Sequence, residues 1–198
     1  MTQFRSDIDI DCADREQVMS RINATQASVR ENWKVRRHAS GAYITPIPYD
    51  PVHDVAAIDY KTAEERGYVK LDLLNVHVYG HVRDEAHLVE LMREPNWKML
   101  RDPDIVKRLV QIHSQYDIMR QMPEPINSIP RLAMFLAVIR PSKRHLIGKT
   151  WAEVAETIWD KTEDGYVFKK SHAIAYATLT VVNMNLYEEN PTAFVLPE

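Results

Sequence analysis

The sequence predicts an α+β protein, with a small mixed sheet in residues 1–82 and a helical region in residues 83–198. Three observations lead there. Residues 7–12 read D-I-D-I-D-C, a strict alternation of acid and apolar side chain with the period of a strand. Runs of β-branched and aromatic residues broken by proline and glycine follow as far as residue 82. Beyond that point the apolar residues fall at helical spacing, with proline and aspartate between the windows.

Taken in order, Asp14 is placed to cap a helix over residues 15–29, in which Val18, Ile22 and Ala27 form an irregular apolar stripe. G-A-Y-I-T-P-I-P-Y-D-P reads as a strand running out into a turn-rich segment, because Pro46, Pro48 and Pro51 bias the residues before them toward extended backbone. Residues 60–66 form a short helix ended by Gly67. In Y-V-K-L-D-L-L-N-V-H-V-Y, Val69, Leu71 and Leu73 share one strand face and Tyr68, Lys70, Asp72 and Leu74 the other. H-L-V-E-L-M, D-I-V-K-R-L-V-Q-I-H-S-Q-Y-D-I-M, S-I-P-R-L-A-M-F-L-A-V-I, W-A-E-V-A-E-T-I-W and H-A-I-A-Y-A-T-L-T-V-V-N-M-N-L-Y are the helical windows.

Composition excludes several classes. With 45% apolar and 27% charged residues, 198 residues suffice for a real core and do not describe a disordered chain. One cysteine, Cys12, rules out an internal disulfide and fits a cytoplasmic setting. The opening M-T-Q-F-R-S-D-I-D-I-D has no apolar core of a secretory signal, and no run of 18 apolar residues supplies a membrane span. A net charge of -3 speaks against nucleic-acid binding by bulk charge, leaving local patches: Lys34, Arg36, Arg37 and His38; Lys143, Arg144, His145 and Lys149; and Lys169, Lys170 and His172.

Alternation places Asp7, Asp9 and Asp11 on one side of their strand, a repulsive row unless a cation neutralises it. Mg²⁺, which takes oxygen ligands and keeps water for substrate phosphates, suits such a row; an exposed edge strand whose acids face water is the other reading. Asp72 lies in an apolar run where an isolated carboxylate is costly to bury. Beside the first strand it would complete a three-acid patch able to hold two ions for in-line phosphoryl displacement; alternatively it caps the next turn.

These residues resemble the active-site strand of the bacterial DNA polymerase III catalytic subunit, the C-family replicative polymerases, in which it reads D-[FI]-D-[VI]-D-F. Here it stands as Asp7-Ile8-Asp9-Ile10-Asp11-Cys12. The family's H-A-S/G-G-V block is matched by His38-Ala39-Ser40-Gly41-Ala42, and its G-L-x-K-x-D-F-L-G block by Gly67-Tyr68-Val69-Lys70-Leu71-Asp72-Leu73-Leu74-Asn75, with Asn75 in place of the final glycine. Leu136 to Pro141 resembles the A-L-x-R-P-G-P entry to the fingers, with Ser142-Lys143 for its last Gly-Pro. Phe168 to Ala177 resembles F-x-K-S-H-A-x-A-Y-A, and Leu186 to Pro191 the end of that helix.

The resemblance implies a palm-like part in residues 1–82 and a fingers-like part in 83–198. It implies Asp9, Asp11 and Asp72 as catalytic metal ligands for a two-ion Mg²⁺ site, with Asp7 a neighbour without a metal role. It assigns Lys70, Arg140, Lys143, Arg144, Lys169, Lys170, Ser171 and His172 to phosphate or DNA. DNA and a deoxynucleoside triphosphate are then the substrates. The family's G-S-x-x-x-S turn, its thumb and its terminal domains are not found in these 198 residues, so the chain alone is expected to show weak synthesis or none. Two accounts follow. A second polypeptide supplies the missing palm strand, turn and thumb; or a compact genome, such as a phage's, retains a polymerase-derived module that binds DNA or replisome proteins. A metal-dependent nuclease is a third possibility, since the same ions serve attack by water.

Overall fold

The computed structural model describes residues 8–161 and 168–194. It divides into two compact units, Met1–His81 and Val82–Glu198.

In the first unit the elements are β1 (Ile8–Cys12), α1 (Arg15–Ile22), β2 (Thr25–Glu31), β3 (Lys34–Tyr43), β4 (Tyr49–Asp50), β5 (Val55–Ala56), α2 (Tyr60–Glu65) and β6 (Leu71–Asn75). The main sheet has the order β1-β6-β3-β2; β1 and β6 run parallel and the other neighbours antiparallel, while β4 and β5 form a separate pair. Asp14 accepts a hydrogen bond from the Gln17 N–H at 3.0 Å and starts α1.

The helix predicted over residues 15–29 stops at Ile22 and is followed by a strand. Asn23 ends it by adopting left-handed φ of 49°, which asparagine tolerates, and the residues beyond pair with β3. Ala27, predicted on the helix stripe, is instead a buried strand residue at a register shift between Gln26 and Ser28. Asn32 and Trp33 close the β2–β3 hairpin with φ of 50° and 65°, the two positive values of a type I′ turn. Ala27, Tyr43, Ile47, Ala56 and Ala63 make one small core, and Cys12, Ala42 and Leu73 another, against which Val18 and Met19 of α1 pack.

The second unit contains α3 (Glu85–Leu91), α4 (Pro103–Val106), α5 (Tyr116–Met119), α6 (Ile129–Val138), α7 (Trp151–Thr157) and α8 (Lys170–Glu189). Asp84, Ser128 and Thr150 cap α3, α6 and α7, the last through a reciprocal pair with Glu153. Ala173, Ala177, Val181 and Met184 of α8 meet Leu132, Phe135 and Leu136 of α6 in one continuous core.

The helix read in residues 104–119 is broken into α4 and α5. The cause lies in α8: the side-chain Oδ1 of Asn183 accepts the Val110 N–H at 2.8 Å, while the Thr180 hydroxyl, whose nearer acceptor is the Tyr176 carbonyl at 2.9 Å, lies 3.3 Å from the Val110 carbonyl. The Val110 N–H is thereby drawn out of any helical ladder, and Gln111 takes a φ of 67°. No helix among the described residues is long and apolar enough to cross a membrane.

Candidate active site

Parallel pairing of β1 with β6 sets Asp9 opposite Asp72, with Asp11 opposite Leu74. Because side chains alternate along a strand, Asp9, Asp11 and Asp72 project from one face, and neighbouring strands lie about 4.8 Å apart. Asp9 and Asp11 are exposed, whereas Asp72 is largely covered, with 16% of its side chain accessible. Asp7 lies outside the described residues.

Both oxygens of Asp72 are engaged. Oδ2 accepts a charge-assisted hydrogen bond from Lys70 Nζ, and Oδ1 accepts one from the Ser40 hydroxyl at 2.6 Å. Burial alone would raise the Asp72 pKa, but the Lys70 and Ser40 hydrogen bonds and the Lys70 charge outweigh it and hold the carboxyl below the ordinary carboxylate value. The acid is therefore ionised.

His38 Nδ1 lies 3.9 Å from Asp72 Oδ1, yet the two do not form an ion pair. That nitrogen accepts the backbone N–H of Gly41 at 2.9 Å and of Ser40 at 3.3 Å, so it holds a lone pair and the ring is neutral, with its proton on Nε2. Burial, followed by the Lys70 charge, lowers the His38 pKa in the same sense. The His38 ring stands edge-on to Tyr60, with centroids 4.9 Å apart.

Glycine is required at position 41, which is opposite Asp72 in the β3–β6 ladder. A Cβ there would come within 2.8 Å of Lys70 Cδ, 2.9 Å of Ala27 Cβ and 3.0 Å of His38 Nδ1. The missing side chain lets the Lys70 stem cross the strand toward Asp72. Beneath this, the Arg15 guanidinium donates to Gln26 Oε1 at 2.5 Å and to the Gly41 carbonyl at 3.3 Å. Gln26 Nε2 in turn donates to the carbonyls of His38 at 2.8 Å and Gly41 at 3.1 Å. This buried network ties the start of α1 to the strand that supplies Ser40.

Asn75, where the polymerase pattern has glycine, accepts the Arg15 N–H on its side-chain oxygen at 2.7 Å, while the Val76 N–H bonds the Cys12 carbonyl at 2.8 Å. The turn after β6 is thus fastened to the β1–α1 junction. Sequence reasoning left Ser40, His38, Arg15 and Gln26 out of the site. The H-A-S-G block was the signal for the first two; for Arg15 and Gln26 there is no local signal, because their contacts are made across 11 to 26 residues.

The face offers hard oxygen donors of the kind Mg²⁺ takes, and the Lys70 ammonium stands where a counter-charge is needed. No group of three His, Cys, Asp or Glu side chains among the described residues is arranged to hold a metal ion. Both Asp72 oxygens already accept a hydrogen bond, so an ion there would compete with Lys70 and Ser40 for the carboxylate.

In the helical unit, the predicted phosphate-binding residues divide. Lys169 is the N-cap of α8, and Lys170 and Ser171 in its first turn are exposed, where free amide hydrogens add to the positive potential. His172 packs edge-on against Tyr176 at 4.2 Å and Phe168 at 5.8 Å, and the Arg140 guanidinium lies over the Phe168 ring at 4.5 Å. Arg140, Lys169, Lys170, Ser171 and His172 are so gathered around the start of α8. Lys143 is buried, and its Nζ donates to the Thr157 carbonyl at 2.8 Å, closing the end of α7. Arg144 makes a marginal contact, from Nε to the Ile139 carbonyl at 3.5 Å. No family model, no curated protein sequence and no solved structure matches this chain.

Proposed function

We propose that the Asp9, Asp11 and Asp72 face is a divalent-metal site for nucleotidyl transfer of the polymerase III type, acting on a DNA primer and a deoxynucleoside triphosphate together with a second polypeptide. The observation that supports it is the register of β1 and β6, which sets Asp9 level with Asp72 and leaves Asp11 two residues along on the same face. Asp9, Asp11 and Asp72 would hold Mg²⁺, which when bound activates a primer hydroxyl and stabilises the leaving pyrophosphate. This chain's own residues would prepare the site: Lys70 and Ser40 keep Asp72 ionised and oriented, and Gly41 gives Lys70 its path. Lys169, Lys170, Ser171 and His172 at the start of α8, with Arg140 beside them, would receive phosphate. Such a role belongs in the cytoplasm, where Cys12, a buried free thiol, stays reduced.

A second reading is favoured by the engagement of both Asp72 oxygens: a polymerase-derived module that binds DNA or replisome proteins without catalysis. Primer extension and single-strand degradation, measured side by side with Mg²⁺ for the chain alone and with any co-purifying polypeptide, separate these readings from a nuclease. Synthesis that requires the partner and vanishes in Asp9→Asn/Asp11→Asn supports the first. Oligonucleotide binding with no synthesis under any pairing supports the second.

A further inference from the structure

The tip of the β2–β3 hairpin is built at a cost that folding does not explain. Trp33 is fully exposed, at 105% relative accessibility, and its φ is 65°. A bulky side chain in the left-handed region is strained, and glycine, asparagine or aspartate is the usual occupant of such a turn position. An indole in water adds nothing to the core. Of the four cations around it, Arg30 is paired with Asp50 at 2.9 Å and Arg37 with Asp54 at 2.7 Å, which leaves Lys34 and Arg36 as the charges nearest the tip that can turn to a ligand.

The ladder orders these cations. Lys34 pairs with Glu31 and Arg36 with Val29, so Lys34 and Arg36 share one face of the hairpin directly behind Trp33. Arg36 is held by an ion pair to Glu31 at 3.2 Å in which both side chains are more than half exposed, a contact weak enough to exchange for another anion. β6 pairs with β3 only at Gly41 and Ala42, so the hairpin runs on past the sheet to its tip.

We propose that this hairpin binds single-stranded nucleic acid, with Trp33 stacking on a base and Lys34 and Arg36 meeting the neighbouring phosphates. An aromatic platform beside a row of cations is the arrangement by which single strands are held without base readout. Lys34, with Arg36 in an exposed and exchangeable ion pair beside the indole, favours a polyanion over a neutral protein pocket. The contact goes beyond the metal-site reading and stands without it, because none of its residues is among the three aspartates or their partners.

The test is fluorescence anisotropy of a labelled oligothymidine with the 198-residue chain across a salt series, comparing Trp33→Ala, Trp33→Phe, Trp33→Gly and Lys34→Ala/Arg36→Ala. Trp33→Ala is expected to weaken binding about 5- to 100-fold, and Trp33→Phe to keep most of it. Lys34→Ala/Arg36→Ala should flatten the log–log salt slope by about 1.4. Trp33→Gly, which makes an Asn-Gly turn, should bind poorly while melting at a higher temperature than the parent, a result that a purely structural tryptophan does not give. The series is run in EDTA, where a metal site contributes nothing, so that failure here and failure of the metal site are told apart. Unaltered affinity in Trp33→Ala, or no oligonucleotide binding by the parent at low salt, overturns the proposal. So does a Trp33→Ala chain that keeps its oligonucleotide affinity but loses self-association in size exclusion or binding to anionic vesicles, which assigns the tip to a protein or lipid contact.

Discussion

Asp9 and Asp72 stand level with each other on adjacent parallel strands. Like charges directly opposite in a sheet repel, and here the repulsion is met from one side by Lys70, whose ammonium bonds the Asp72 carboxylate. Whether a divalent ion can meet it from the other side depends on the supports of Asp72.

The tightest of those supports is Gly41. Gly41→Ala puts a methyl group against Ala27 Cβ and His38 Nδ1, both of which are packed, as well as against the more pliable Lys70 stem. The expected cost is about 1–3 kcal/mol in urea unfolding, together with a rise in the Asp72 pKa as Lys70 is displaced. Unchanged stability and an unchanged carboxyl titration by NMR would show that the strand relaxes around the methyl group.

Asn183 holds the break between α4 and α5. Asn183→Ala leaves the Val110 N–H without its acceptor and should destabilise the helical unit by about 1–3 kcal/mol. Amide exchange at Val110 is the specific readout, expected to quicken more than exchange along α6. Equal protection in the variant would mean that Asn183 is not what holds this turn.

Lys143 separates structure from phosphate binding. With its ammonium on the Thr157 carbonyl, Lys143→Ala should lower stability by about 1–3 kcal/mol and leave the salt dependence of any nucleic-acid binding alone. Lys169→Ala/Lys170→Ala, at exposed positions, should do the reverse. A flattened salt slope in Lys143→Ala would return that residue to the phosphate site.

Acid sensitivity of the sheet unit has an identifiable source. Asp50 accepts from Arg30 Nη2 at 2.9 Å and contacts His53 Nδ1 at 3.0 Å; the Arg30 hydrogen bond, against opposing burial and with help from His53, lowers its pKa to about 2. A folded pKa below the unfolded value of about 3.9 contributes stability that is complete above that value and is lost as pH falls toward 2. Asp50→Asn should therefore melt below the parent at neutral pH, with the gap closing through that window. A gap that stays constant down to pH 2 would assign the loss to packing.

Legibility in the sequence followed the range of the interactions. The alternation in residues 8–12 and the run K-L-D-L-L are local patterns, and strands occupy both places. The capped start at Asp14 is equally local. Residues 23–29 were misread because Val18, Ile22 and Ala27 mimic a helical stripe, while what stops the helix is one left-handed asparagine and a strand partner later in the chain. The split at Val110 could not be seen at all, since it depends on Asn183, 73 residues away. At the candidate site, the acids were legible as residue types, but the engagement of Asp72 by Ser40, 32 residues away, was not.

The central claim is that Asp9, Asp11 and Asp72 bind a divalent ion, and titration with Mn²⁺ followed by loss of the free-ion EPR signal tests it most directly. The parent chain is expected to take up Mn²⁺ saturably, with Mg²⁺ competing. Asp9→Asn/Asp72→Asn should abolish that uptake while the fold, followed by circular dichroism, persists. Lys70→Met should tighten it, because the ion no longer displaces an ammonium from Asp72. A parent chain that takes up no Mn²⁺, or a double variant that binds it as well as the parent, would contradict the metal site and leave the nucleic-acid-binding module as the surviving account.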